Sequence, residues 1–180
     1  MVVLLILAIL LAIAIPTFLG VTKSANDRAA QSNLNTALVT AKSIFQTNSQ
    51  SYALAGGVGA ASLTANNAAL VGSLTTSGTS LSFTTGTVSA GLAQSTISVG
   101  IAQDGNGVIL ASQAKGTNSC WYVIDNAVAE SSGGTNYANV PSNAQAAGTW
   151  YGKYTSSPAP TSCTAVVPSG TVFHASGFAQ

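Results

Sequence analysis

Residues 1–19, MVVLLILAILLAIAIPTFL, carry no charge, and the first ionisable side chain is Lys23. About 20 apolar residues in a helix rise ~30 Å, the thickness of a bilayer's hydrocarbon core. A secretory signal peptide has a basic segment ahead of its apolar core, and none precedes this one. A helix packed in a globular core shows a polar stripe, and this run shows none. The run is therefore expected to enter a membrane or to pack against copies of itself. Pro16 lies inside it; proline lacks the backbone donor and crowds the carbonyl four residues back, so a kink or a loosened turn is expected there. Lys23 and Arg28 follow on the C-terminal side. Taken alone, the positive-inside rule puts that side in the cytoplasm, and a short basic leader ahead of Met1 would remove the conflict with the cysteine usage below.

Composition narrows the class. Of 180 residues, 47% are hydrophobic and only 5% charged, with a formal net charge of +1. An ordinary soluble domain holds about 25% charged residues. There is no basic footprint for nucleic acid. Serine and threonine, 23 and 20 residues, fill the polar surface instead. An uncharged, hydroxyl-rich surface favours association.

Residues 24–52 read as a continuing helix with one apolar stripe. Ala30, Leu34, Ala37, Leu38, Ala41, Ile44, Phe45 and Tyr52 recur at three- and four-residue steps. Lys23 and Asp27, spaced i, i+4, are placed to pair, and Lys23, Asp27 and Arg28 are equally placed to meet another subunit. A single helix over residues 1–52 would be ~78 Å long, too long for one small domain to bury. The glycines of Ala55-Gly56-Gly57-Val58-Gly59 read as its stop. Residues 60–80 are Ala/Ser/Thr/Asn-rich and read as a connecting loop with a short helix near residues 65–71.

Strand signals follow. Leu81 and Phe83 alternate with polar residues; Ile97, Val99 and Ile101 share one face; Asp104-Gly105-Asn106-Gly107 reads as a hairpin turn before residues 108–111; Trp121-Tyr122-Val123-Ile124 is a further strand. Asp104 and Asn106 also have the spacing of calcium-loop ligands, but calcium takes 6–8 oxygens and the chain has four carboxylate side chains. The predicted fold class is α+β: a long helix packed on an antiparallel sheet of about four strands. Its expected parts are an apolar helix (1–23), an amphipathic continuation (24–54), a connecting loop (55–80) and a sheet domain (81–180). Cys120 and Cys163 are the only cysteines. Their separation and the export-type N-terminus point to one disulfide, with two buried thiols as the alternative.

The N-terminal run, ending Ala14-Ile15-Pro16, and the continuation VTKSANDRAAQSNLNTALVTAK together resemble the N-terminal helix of bacterial type IV pilins. Ser-Cys-Trp-Tyr at 119–122 and Gly-Thr-Trp-Tyr at 148–151 are similar to pilins of Gram-positive, actinobacterial type. Counting back from Pro16, that family's opening Phe-Thr-Leu-Ile-Glu, with its peptidase site and glutamate, would lie upstream of Met1. The resemblance implies a major pilin held in the cell membrane before assembly. It would then polymerise with itself, through inner-membrane assembly machinery, into an extracellular filament for adhesion and surface motility. The implied filament-core residues are Val2, Leu5, Ile6, Ile9, Leu10, Ile13, Pro16 and Phe18, with helix loosening at Pro16. It also implies that the disulfide pins the C-terminal region to the sheet.

Two other readings stand beside it. A pseudopilin of a type II secretion system would share the helix, but the disulfide and the scarcity of carboxylates count against it. A monomeric membrane-anchored extracellular binding domain would tolerate polar substitutions in residues 1–19. Catalysis is not expected: His174 is the sole histidine, no Gly-x-Ser-x-Gly elbow occurs, and nothing places Asp104, Asp125 and Glu130 together. No cofactor, metal, small-molecule substrate or nucleic-acid partner is expected. The Ser/Thr/Pro cluster at 155–161 is a candidate for O-glycosylation; no Asn-x-Ser/Thr sequon is present.

Overall fold

A computed structural model of the chain describes residues 1–89, 94–117, 119–130, 134–156 and 160–178. Helix α1 runs without a break in assignment from Val2 to Thr47, 46 residues, or about 69 Å. It continues through position 16; the side chain of Pro16 lies outside the described residues. Just beyond, the Thr17 hydroxyl donates to the carbonyls of Ile13 (3.2 Å) and Ala14 (2.9 Å), satisfying oxygens in the turn before it.

The helix ends five residues earlier than its apolar stripe suggests. Ser49 and Gln50 take positive φ, 53° and 59°, and the chain turns back on itself. Tyr52 still reaches the core, with its ring 4.6 Å from that of Phe45 and its N–H donating to the Gly105 carbonyl at 2.8 Å. The stripe thus outlasts the helix because a turn delivers the last aromatic to the same core. Of the rest, Ala30, Leu34, Ala37, Leu38 and Ala41 are buried, and Ile44 and Phe45 pack partly buried beside them.

Residues 55–80 hold more structure than a loop. A 3₁₀ turn leads into helix α2, Leu63–Thr76, fourteen residues long. Its Leu70 and Leu74 are buried. Asn66 accepts from the Ala55 N–H (2.8 Å) and donates to the Gly57 carbonyl (3.0 Å), which fixes the glycine-rich turn before it. With two of its three leucines buried in an Asn/Thr/Ala background, its periodicity is weak, and the expected short helix near residues 65–71 is extended at both ends.

The strands are β1 (Ser82–Thr84), β2 (Val88–Ser89), β3 (Thr96–Ile101), β4 (Gly107–Gln113), β5 (Ser119–Asn126), β6 (Gly148–Thr155), β7 (Ser162–Cys163) and β8 (Val172–His174). Six of them form one mixed sheet in the order β1-β3-β4-β5-β6-β8, and β2 pairs with β7 apart from it. The expectation of about four antiparallel strands is corrected in number and direction. Strand β1 is parallel to β3, with Ser82 opposite Thr96. A parallel pair needs a crossover; the chain between them leaves the sheet to form β2, pairs there with β7, and returns. Strand β1 falls where Leu81 and Phe83 signal it, and the strands added beyond those expected are β6 and β8; β8 is only three residues long, too short to show alternation.

Both faces of the sheet are covered. Ile97, Val99, Ile101, Val108, Leu110, Trp121 and Val123 face α1 and α2. On the other face Ile109, Tyr122, Ile124 and Phe173 pack with Tyr137, Val140, Ala144, Ala165 and Val167 from the loops before β6 and around β7. Gly100 permits this second layer: a Cβ there would lie 2.9 Å from the Ala165 Cβ and from Asn136 Nδ2. Asn136 uses that closeness to donate to the Ile101 carbonyl at 2.9 Å. Burial on both faces explains why β5 reads as a continuous apolar run.

Candidate assembly surface

The seven predicted filament-core residues whose side chains are described lie bare. Val2, Leu5, Ile6, Ile9, Leu10, Ile13 and Phe18 are 52–69% exposed. An isolated helix has no means of covering them. Fully burying that many large side chains is worth on the order of 10–20 kcal/mol, comparable to or above the ~4–15 kcal/mol cost of association. Among the described residues, α1 is the one helix long and apolar enough to cross a membrane, and its apolar window is unburied by the rest of the chain.

The other half of α1 is bolted to the sheet at two heights. At the lower one, Asp27 Oδ1 accepts from Trp121 Nε1 at 2.8 Å and from Thr117 Oγ1 at 3.3 Å. Beside it, Asn26 donates to the Lys115 carbonyl (2.7 Å) and receives Gln94 Nε2 (3.1 Å). At the upper height, the Lys42 ammonium sits 2.9 Å from Asp125 Oδ1 and 3.0 Å from Thr149 Oγ1. Asp125 also accepts from Tyr52 OH (2.9 Å) and Thr149 Oγ1 (2.7 Å). Burial, then the Asp125 charge and the hydrogen bond to it, push the Tyr52 phenol far above its usual value, so it remains a donor. Fifteen helical residues separate Asp27 from Lys42, or about 22 Å. Two anchors that far apart fix the angle at which the bare half projects.

The charges singled out in the sequence therefore divide. Asp27 is committed to Trp121 within the chain, and the i, i+4 ion pair with Lys23 does not form among the described residues. Lys23 and Arg28 are exposed. The pairing of Lys42 with Asp125 went unforeseen, since 83 positions separate them and no local spacing signals it.

Cys120 and Cys163 form a disulfide, with Cα atoms 5.7 Å apart across a sequence separation of 43. It ties β5 to β7 and thereby holds the outer loop layer on the sheet. Loop-closure entropy for this span is worth ~4 kcal/mol. Replacing both cysteines by serine is expected to lower unfolding stability by about 2–4 kcal/mol in denaturant titrations of the full chain in detergent. An unchanged midpoint would show that packing alone holds the layer.

The turn after β3 takes the predicted hairpin form. Gly105 has φ 78°, and Asp104 Oδ1 accepts the Asn106 N–H at 2.9 Å. The fold does one thing here the sequence did not suggest: it brings Glu130 against Asp104. Glu130 is 4% exposed. Burial first, then the charge of Asp104 and a hydrogen bond to it, raise its carboxyl to about 7. The folded chain thus keeps a proton that the unfolded chain releases near 4.5. This group's contribution to stability is fully present below pH 4.5 and is lost as pH rises through about 7. Glu130→Gln should flatten the fall between those values in thermal melts; an unaltered slope would exclude Glu130 as its source.

His174 is exposed on edge strand β8. Among the described residues no three His, Cys, Asp or Glu side chains gather as a metal site. Part of the candidate glycosylation cluster, residues 157–159, lies outside the described residues. Comparison with protein-family models, with curated proteins and with solved structures returns no match, so function is read from the chain's own residues.

Proposed function

We propose that this chain is the structural subunit, a major pilin, of a type IV pilus. Its bare apolar half-helix would hold it in the cell membrane and then bundle with copies of itself in the core of an extracellular filament. The observation that carries this reading is the division of α1. One helix has a docked, amphipathic half and an uncovered, uniformly apolar half, continuous in assignment from Val2 to Thr47. A lone anchor needs only lipid around that half, whereas a polymer needs it held at a fixed angle to the sheet, as the Asp27 and Lys42 anchors hold it. The near-absence of surface charge removes the repulsion that packed copies would otherwise meet. The disulfide suits an oxidising, extracytoplasmic setting.

The test is electron microscopy of filaments sheared from cells that make this chain, with mass spectrometry of their subunit. Thin filaments composed mainly of this chain support the reading. A chain confined to the membrane fraction, with no filament containing it, overturns it in favour of a pseudopilin or a monomeric anchored domain.

A further inference from the structure

The few charges are sorted along the molecule. Lys42, paired with Asp125, sits at the far end of the helix together with Asp104 and Glu130. The other four cations, Lys23, Arg28, Lys115 and Lys153, gather where α1 leaves the sheet. Lys115 is placed there by the Asn26 hydrogen bond to its carbonyl, and Lys153 by its ammonium 4.7 Å over the Trp121 ring. The carboxylate among them, Asp27, is already engaged by Trp121 and Thr117.

Within this collar is a cleft of about 220 Å³. Arg28 and Lys153 line it, Ser24 and Gln31 add polar groups, and Trp121 and Phe178 contribute aromatic walls, their rings edge-on at 5.4 Å; the Asp27 carboxylate also lines it, with its Oδ1 turned to Trp121 Nε1 and Thr117 Oγ1. Neither Arg28 nor Lys153 has a carboxylate within ion-pair distance among the described residues. Two cations with no ion-pair partner among the described residues outnumber the single Asp27 carboxylate at this cleft, and with its hydroxyl and amide donors they form a site for a phosphate group.

The height of the cleft identifies the phosphate's source. Arg28 lies seven residues, about 10 Å, beyond Val21, the last apolar residue before Lys23. Helical side chains lean toward the helix N-terminus, so Arg28 leans back toward the membrane. Headgroup layers occupy roughly 5–8 Å on each side of the hydrocarbon core. We infer that the Arg28–Lys153 cleft binds the phosphate of an anionic lipid headgroup while α1 spans the bilayer, seating the sheet domain on the membrane surface. This rests on the membrane-spanning part of the proposed function and adds its lipid partner.

The experiment uses the full chain reconstituted in phosphatidylcholine vesicles containing spin-labelled phosphatidylglycerol or spin-labelled phosphatidylcholine. Electron paramagnetic resonance then measures the share of each lipid held at the protein. The wild-type chain should select phosphatidylglycerol about fivefold, the equivalent of one cation's surface attraction. R28Q/K153Q should bring the ratio near one, and K115Q should leave most of the selectivity. An equal loss in K115Q would make the effect diffuse charge and overturn the cleft. Inorganic phosphate at constant ionic strength should not compete; if it abolishes selectivity, the site takes free phosphate and the lipid assignment falls. Vesicle flotation separates the two levels of failure. A chain that does not float refutes the membrane reading and this inference together. One that floats but holds both lipids equally refutes this inference alone.

Discussion

If the chain polymerises as proposed, Ile9→Asp should abolish filaments while the disulfide-bonded sheet domain stays folded. Ile9 sits mid-way along the bare half of α1 and is 55% exposed in the isolated chain. In lipid a carboxylate at a helix centre costs about 2.5–3.5 kcal/mol, which the remaining apolar residues can offset, so the subunit still reaches the membrane. In a filament core the same charge meets neighbouring helices without water or a partner, and its desolvation costs several kcal/mol at every subunit. Each 1.4 kcal/mol is tenfold in an association constant, so filament yield should drop by at least about a hundredfold. Ile9→Leu, which conserves volume and polarity, should assemble normally. Wild-type filament numbers from the aspartate variant would remove the helix from the assembly surface.

The second large effect is expected at Trp121. It is 1% exposed, donates to Asp27, carries the Lys153 ammonium over its face and packs edge-on against Phe178. Trp121→Ala opens a cavity under α1 and should cost about 3–5 kcal/mol of stability. Trp121→Phe retains a ring but removes the shorter of the two hydrogen bonds to Asp27, leaving Thr117, with an expected cost of about 1–3 kcal/mol. Denaturant unfolding of the full chain in detergent, followed by near-ultraviolet circular dichroism, measures both. If alanine costs no more than phenylalanine, the ring's packing contributes little and the anchor is purely polar.

Much of this molecule was legible because its signals are local and periodic. The apolar run, the Ala30-to-Phe45 stripe, the β3 alternation and the Asp104-Gly105 turn each follow from spacing within a dozen residues. The cysteine pair was also legible, since only two cysteines exist to join. Helix α2 was only partly so, because its buried face consists of Asn66, Leu70 and Leu74 and its polar residues are as turn-like as helical. The early helix stop was hidden by Tyr52, which keeps the stripe's spacing through a turn.

The sequence by itself determined that one helix must carry two different faces, one apolar all round and one striped, because period and length depend only on neighbouring residues. It also determined that a charge-poor, hydroxyl-rich domain follows that helix. The tertiary structure alone decided which groups meet: Asp27 with Trp121, Lys42 with Asp125, Asp104 with Glu130, and Arg28 with Lys153 across one cleft. Those partners lie 26 to 125 positions apart. Their approach is set by strand register, by the crossover that makes β1 parallel to β3, and by a glycine at position 100 that admits the second layer. Local spacing carries no information about such closures, because they become favourable only once the whole core has formed.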